Sequence, residues 1–361
     1  MHTMRTVAYA SIIGASGYTG QETLDRVLAH PELELVAVGS DSLAGQPATA
    51  LDPRLNRNGG RRVPVFIAND AALACEADVT FVCLGHEAAA ALEPSKRGVV
   101  IDLSGAHRLL DAAQYDEWYG FSHPHPSELG DWVYGLPELV DVSGRELMQE
   151  TGPPAGVRPG RDSGLRQQGR LVANPGCYAT AALLALGPLR EAIEPDGVVV
   201  DAKSGMTGAG RVPKAATHAG FVLENVSPYK VGAHQHVAEI AQLLGFPVSF
   251  APHLLPIRRG LIATCYVQST GPDLRSLLEA HYASSDVVTV LPEGMTPEIA
   301  RVQGTDAAEL GVFADRFTGR TIVVCAIDNL GKGAAGQAVQ NVNRLFGFAD
   351  TDGLRLSGVR V

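Results

Sequence analysis

The 361-residue chain has few cysteines, no long apolar run and a shortage of positive charge. Its five cysteines, Cys75, Cys83, Cys177, Cys265 and Cys325, are odd in number and widely spaced, and no CxxC pair occurs. Neither a disulfide framework nor a structural zinc site is therefore expected, and a reducing, cytoplasmic setting fits. No apolar stretch reaches the roughly 18 residues of a membrane span. Lys plus Arg total 29 against 39 Asp plus Glu, a net charge of −10, which argues against nucleic-acid partners and anionic lipid surfaces. A few local arginines can still serve one small anionic substrate. A composition of 45% hydrophobic and 19% charged residues, with glycines that follow no G-X-Y period, excludes disorder, coiled coil and collagen. There is no internal repeat.

What is present is an α/β pattern. At about 150 residues per domain the length suggests two domains. Residues 1–10 imitate a poor signal peptide, because Ala8-Tyr9-Ala10 looks like a cleavage site. The single Arg there and an apolar run that continues into glycines read instead as a first strand. Strands are predicted at 7–13, Leu33–Val38, 79–84 and 99–103, with a helix at 19–30 ending before Pro31, which is the signature of a doubly wound parallel sheet. Residues 144–169, rich in Gly, Pro and Arg, read as an exposed loop insertion. Beyond it come a short strand (171–173), an apolar helix (178–189), strands at 198–202, 248–250, 260–268 and Thr321–Ile327, and a last helix at 333–346. These suit a mixed or antiparallel sheet with helices on it.

Five groups of residues carry chemistry. Gly14-Ala15-Ser16-Gly17-Tyr18-Thr19-Gly20 follows the first strand and opens the first helix, the context in which backbone N–H groups approach a pyrophosphate. At the end of the second strand stands Ser40-Asp41-Ser42. An acid 21 residues past Gly20 points to a ribose 2′-OH and NAD, whereas Ser40 and Ser42 suit a 2′-phosphate, and Asp41 alternatively caps a turn. Asn174-Pro175-Gly176-Cys177 sets a cysteine at a helix start, where the dipole favours a thiolate and lowers the thiol pKa. Cys83, Cys265 and Cys325, within apolar strands, read as core. His234-Gln235-His236 precedes a helix-like stretch and supplies a general acid or base. With only Glu239 nearby as a further ligand type, no metal site is expected. Arg108, Arg211, Lys214, Lys230 and Arg259, in glycine- or proline-flanked loops, are candidate anion clamps.

The order of the glycine turn, Asp102-Leu103-Ser104, Tyr134-Gly135-Leu136-Pro137-Glu138, Asn174 to Thr180, Ser204 to Arg211, Asp328 to Gly333 and Gln337 to Asn341 resembles the N-acetyl-gamma-glutamyl-phosphate reductase family, a relative of aspartate-semialdehyde dehydrogenase, over nearly the whole chain. The resemblance implies a Rossmann-type domain at 1–176, completed by the C-terminal segment 331–361, and an α+β catalytic and oligomerisation domain at 177–330. It implies NADPH-dependent reduction of N-acetyl-L-glutamyl 5-phosphate to the 5-semialdehyde in arginine biosynthesis, by a homodimer or homotetramer. It carries the nucleophile onto Cys177 and the acid/base role onto the His234/His236 pair, with His236 preferred because it directly precedes the helix. It adds Gly85, Ser204, Gly205 and Asn329 to the cofactor side; of the loop cations, Arg108, Arg211, Lys214 and Arg259 are expected on the substrate side, with Arg211 and Arg259 as clamps for the substrate's carboxylate and phosphate. Two departures stand out. Asp41 replaces an Arg frequent in the family, in keeping with NAD, and Gly304-Thr305-Asp306 replaces a common Gly-Ser-Asn, which alters a substrate-side contact. Alternatives are a reductase of the aminoadipyl phosphate analogue, an aspartate-semialdehyde dehydrogenase, or a dinucleotide-binding regulator without catalysis; the cysteine and histidines count against the last.

Overall fold

The computed structural model describes residues 7–57, 63–93, 98–139 and 170–358. The first part runs β1 (Ala8–Ile13), α1 (Tyr18–Ala29), β2 (Leu33–Val38), α2 (Asn69–Leu73), β3 (Val79–Val82), α3 (His86–Ala90), β4 (Val99–Asp102), α4 (Ala113–Trp118), β5 (Trp132–Tyr134) and β6 (Arg170–Ala173). These six strands form one sheet in the order β2-β1-β3-β4-β6-β5, with every pairing parallel. All four residues of β3 and all four of β4 are buried, because both faces of the sheet are covered and a parallel strand needs no polar side. The order reverses between β1 and β3, and the glycine turn leaves β1 at that switch point, where doubly wound sheets bind ligands.

The second part begins with α5 (Cys177–Leu186) and continues through β7 (Val199–Ser204), α6 (Ala219–Val222), β8 (Ser227–Pro228), α7 (His236–Leu244), β9 (Ser249–Leu254), β10 (Leu261–Val267), α8 (Leu274–His281), β11 (Val288–Val290), α9 (Ile299–Val302), β12 (Ala308–Ala314) and β13 (Thr321–Ile327). Its seven strands lie in the order β11-β12-β13-β10-β7-β9-β8, a mixed sheet. Nine of the ten residues of α5 are buried; a helix apolar all round lies inside, here against β10, β13 and α7. The chain then returns through a π-helical turn, Gly331–Ala335, into α10 (Gly336–Phe346), which lays Ala338, Val339, Val342, Leu345 and Phe346 into the core of the first sheet. None of the described helices is long and apolar enough to cross a membrane.

The expected elements are present, Leu33–Val38 and Thr321–Ile327 with the expected bounds and the others with shifted ends. The helix expected at 178–189 starts at Cys177 and stops at Leu186, where Gly187–Leu189, containing Pro188, tightens into a 3₁₀ turn. Strands β5, β8, β11 and β12 were not anticipated: β8 has two residues, β5 and β11 three each, and Glu309 and Gly311 interrupt the apolar pattern of β12. Residues 144–169 lie outside the described residues.

Polar latches tie the returning C-terminal segment to the motif after β5. Lys332, almost fully buried, donates to Glu138 Oε1 and Gln340 Oε1, each at 2.5 Å, and Gln340 Nε2 donates to the same carboxylate at 2.9 Å. Burial would raise the Glu138 pKa, but Lys332 and Gln340 outweigh it and hold the carboxyl below its ordinary value. Lys332→Met leaves that carboxylate buried without its cation and is expected to cost about 3–5 kcal/mol, much of it recovered by adding Glu138→Gln. Equilibrium urea unfolding measures both; a single variant within about 0.5 kcal/mol of wild type would contradict the latch.

Candidate active site

The glycine turn is built for close approach. Gly14 has φ +78°, and a Cβ there would lie 2.6 Å from Cys83 O in the neighbouring strand exit, so only glycine fits. Gly17 precedes α1 in extended conformation and Tyr18 and Thr19 open its first turn, with Gly20 buried on its inner face. The side chains around the turn are satisfied in a way that separates Asp41 from its neighbours. Ser40 Oγ donates to Ser16 Oγ at 2.8 Å and lies 3.3 Å from Ser42 Oγ, a run of three hydroxyls at the end of β2. Asp41 instead accepts from Asn69 N and Asn69 Nδ2, both at 2.8 Å, and Asn69 Oδ1 accepts from Gly14 N at 3.0 Å. Asp41 thus braces the start of α2, the turn-capping alternative, with each of its oxygens accepting one hydrogen bond from Asn69.

The second centre is the turn into α5. Gly176 N donates to Glu239 Oε1 (2.8 Å), and Tyr134 OH donates to the same oxygen (2.6 Å). Glu239 is fully buried, and Arg108 Nη1 stands 3.6 Å from its other oxygen. Arg108, also buried, is fixed by Nε to Asn174 O (2.8 Å) and Nη2 to Leu103 O (3.0 Å). A Cβ on Gly176 would lie 2.3 Å from His236 Nε2 and 2.7 Å from Arg108 Nη1, so the imidazole and the guanidinium press directly on the residue before Cys177. From the other side Gly333 closes in, its would-be Cβ 2.9 Å from Cys177 Cβ. Asn174 Nδ2 donates to Ala334 O, and Asn341 Nδ2 donates to Asn174 Oδ1 and Gly135 O. Four separated stretches of chain therefore converge on the turn that carries the half-buried Cys177.

The two histidines differ. His236 is the first residue of α7, and its backbone N donates to His234 Nδ1 at 3.2 Å. His234 is enclosed by Tyr178, Tyr229 and Phe250, so it orders the helix entry while His236 faces the cysteine turn. Burial first, then the repulsion a proton on it would meet from His234, Arg108 and His86, pushes the His236 pKa well below the ordinary value, so its imidazole is neutral near pH 7. Burial also pushes the Cys177 thiol up to about 11, against the pull of Arg108 and of the Tyr178 N–H at the helix start. The lowered thiol pKa expected from the helix terminus is thus overturned by desolvation.

The anion-clamp expectations divide. Arg259 is engaged by Glu22 (2.5 Å) and Asp328 (2.9 Å), and the buried Arg26 pairs with Asp306 and Glu22, a partly buried network joining α1 to the second sheet rather than an open clamp. Asp306, expected to change a substrate contact, is the buried partner of Arg26. Asn329 Oδ1 accepts from Gly260 N and its Nδ2 donates to Thr207 Oγ1, so its amide fastens the 205–209 turn and is not free for a cofactor. Arg211 lies on the dinucleotide side, its Nη1 donating to Ser16 O at 2.9 Å. Lys214 and Lys230 are exposed, Lys230 bonded to Gln235. Ser204 is buried with Gly205 packed on the Arg258–Arg259 backbone, and Gly85 opens onto free space at the exit of β3. Cys265 and Cys325 are core, whereas Cys83 is half-buried one residue past β3, its Sγ 3.8 Å from Thr23 Oγ1. Glu239 and Tyr134 are the site residues that sequence reasoning did not assign; the spacing of Glu239, one turn after His236 on α7, is the signal that could have marked it.

A raised thiol pKa has a measurable sign. In the unliganded protein the iodoacetamide alkylation rate at Cys177 is expected to keep climbing as pH rises toward 11, and Arg108→Gln should slow it several-fold at about pH 8 by removing the charge that favours thiolate. A rate already at plateau near pH 7 contradicts this electrostatic picture.

Comparison with known proteins agrees with the geometry. Residues 9–144 match the semialdehyde dehydrogenase NAD binding domain, and residues 177–329 match the semialdehyde dehydrogenase dimerisation domain. N-acetyl-gamma-glutamyl-phosphate reductase of Salinispora arenicola is 43% identical, covering 97% of this chain and 98% of the relative. The protein of the same name from Pelotomaculum thermopropionicum is 39% identical over the same shares. Among solved structures, aspartate semialdehyde dehydrogenase II of Vibrio cholerae superposes with a TM-score of 0.67 at 18% identity, covering 94% of this chain and 98% of that one. Aspartate semialdehyde dehydrogenase with NADP from Candida albicans gives 0.60 at 15%, with the same shares covered. These two show the shared fold, a Rossmann-type domain beside a second sheet. With the glycine turn, the enclosed cysteine turn and full-length identity near 40%, the chain belongs to the N-acetyl-gamma-glutamyl-phosphate reductase family.

Proposed function

We propose that the protein reduces N-acetyl-L-glutamyl 5-phosphate to N-acetyl-L-glutamate 5-semialdehyde with NADPH, the step of arginine biosynthesis for which its relatives are named. The observation that carries the reading is the packing of His236 Nε2 and Arg108 Nη1 against the residue before Cys177. Attack by the Cys177 sulfur on the acyl carbon expels phosphate and leaves an acyl thioester, two moderate barriers in place of one high one. His236, neutral at rest, accepts the thiol proton as the sulfur attacks, and returns it when the carbon–sulfur bond later breaks. Arg108 stabilises the thiolate as it forms, held in place by Glu239, Asn174 and Leu103. The bound reduced dinucleotide supplies the hydride that turns the thioester into the aldehyde. Gly14 and Gly20 let the turn fold tightly against Cys83 and Ala15, and the N–H groups opening α1 would hold the pyrophosphate of a bound dinucleotide. The hydroxyls of Ser16, Ser40 and Ser42, together with the engagement of Asp41 by Asn69, support NADP over NAD. Residues 177–329 match a dimerisation domain, which supports a homo-oligomer, and we place it in the cytoplasm.

Cys177→Ser is expected to lose at least about 10³-fold in turnover while still binding dinucleotide, since a neutral alcohol is a far weaker nucleophile. His236→Gln should slow turnover by about 10²–10⁴-fold, and His234→Gln less. The assay is steady-state oxidation of N-acetylglutamate 5-semialdehyde in the presence of phosphate and either dinucleotide. A Cys177→Ser enzyme that keeps more than about a tenth of wild-type turnover contradicts the covalent route.

A further inference from the structure

The turn that follows β7 reaches out of the second sheet and touches the dinucleotide turn of the first. Arg211, at the end of that turn and exposed, gives one hydrogen bond, Nη1 to Ser16 O at 2.9 Å; its other guanidinium nitrogens make none among the described residues. Ser16 is also the acceptor of the Ser40 hydroxyl, and Ser42 stands next in the row at 3.3 Å. One incompletely used guanidinium is therefore tied, through the main-chain carbonyl of Ser16, to the residue whose hydroxyl heads a row of three beside the carboxyl end of β2, across about 170 to 195 positions of sequence. In a doubly wound sheet that end is where the adenosine ribose is read. The acid that sequence spacing would place on the ribose, Asp41, has both oxygens on Asn69. Its charge nevertheless stays in the neighbourhood, so a dianion bound there needs a cation to offset it as well as hydroxyl donors. Among the described residues Arg211 is the cation joined to this cluster. Its planar fork suits a phosphomonoester, and its bond to Ser16 fixes one edge while leaving the other open.

We propose that Arg211 of the catalytic part supplies the positive charge for the 2′-phosphate of the dinucleotide, with the hydroxyls of Ser16, Ser40 and Ser42 as further donors. Arg211 is then a cofactor-specificity residue and not a clamp for the substrate carboxylate. Binding of the 2′-phosphate ties the 205–211 turn to the glycine turn, so NADP draws the two parts together in a way that NAD does not. The inference rests on the dinucleotide-dependent reductase reading, and binding measurements separate the two.

Isothermal titration of the full-length protein with NADPH, NADH and 2′,5′-ADP, without substrate, tests it. For Arg211→Gln, binding of NADPH and 2′,5′-ADP is expected to weaken by roughly tenfold or more, with NADH within about twofold, and Arg211→Lys should fall between. Added salt should weaken NADPH binding more steeply in wild type than in Arg211→Gln. An equal loss for both dinucleotides would put Arg211 on the pyrophosphate, and unchanged NADPH binding would remove it from the cofactor; either result overturns the proposal. A wild-type protein that binds neither dinucleotide overturns the reductase reading beneath it as well.

Discussion

Position 176 admits no side chain, and the site is organised around that constraint. Because Gly176 is bare, an imidazole and a guanidinium come within contact of the backbone just ahead of Cys177. Glu239 makes the arrangement rigid by receiving the Gly176 N–H and the Tyr134 hydroxyl on one oxygen while facing Arg108 with the other. A buried carboxylate is costly unless it is satisfied, and here its partners are the groups that must be held for chemistry. The latches through Lys332, Asn341 and Asn174 serve the same end, pinning the returning C-terminal segment against the cysteine so that Gly333 forms one wall of the site.

Desolvation sets the electrostatic character of this centre. It raises the thiol and lowers the imidazole, so both are neutral at rest, and the helix terminus and Arg108 only temper the rise at sulfur. A neutral thiol beside a neutral imidazole differs from a preformed thiolate–imidazolium pair: the proton moves as the acyl phosphate is attacked rather than beforehand.

Local signals were legible in the sequence and distant pairings were not. The glycine turn, the strand Leu33–Val38 and the strand Thr321–Ile327 depend on neighbouring residues and were read to the residue. Short or interrupted strands such as Trp132–Tyr134 and Ala308–Ala314 form only because a partner strand lies beside them. Arg259 looked like an open clamp because Glu22, which neutralises it, is 237 positions away, and Asn329 looked free because Thr207, one of its partners, is 122 positions away. Glu239 escaped for the same reason, its partners Gly176 and Tyr134 lying 63 and 105 positions off. The thiol pKa was misjudged because the helix dipole is visible in sequence whereas burial is a property of the assembled fold.

The central claim is that the Cys177 sulfur becomes acylated. Intact-protein and peptide mass spectrometry after mixing wild-type protein with N-acetylglutamyl 5-phosphate in the absence of reduced dinucleotide tests it most directly. The account expects one added N-acetylglutamyl group per chain, located on the peptide containing Cys177 and removed by hydroxylamine. No adduct under conditions of turnover, or an adduct on a different residue, would contradict it.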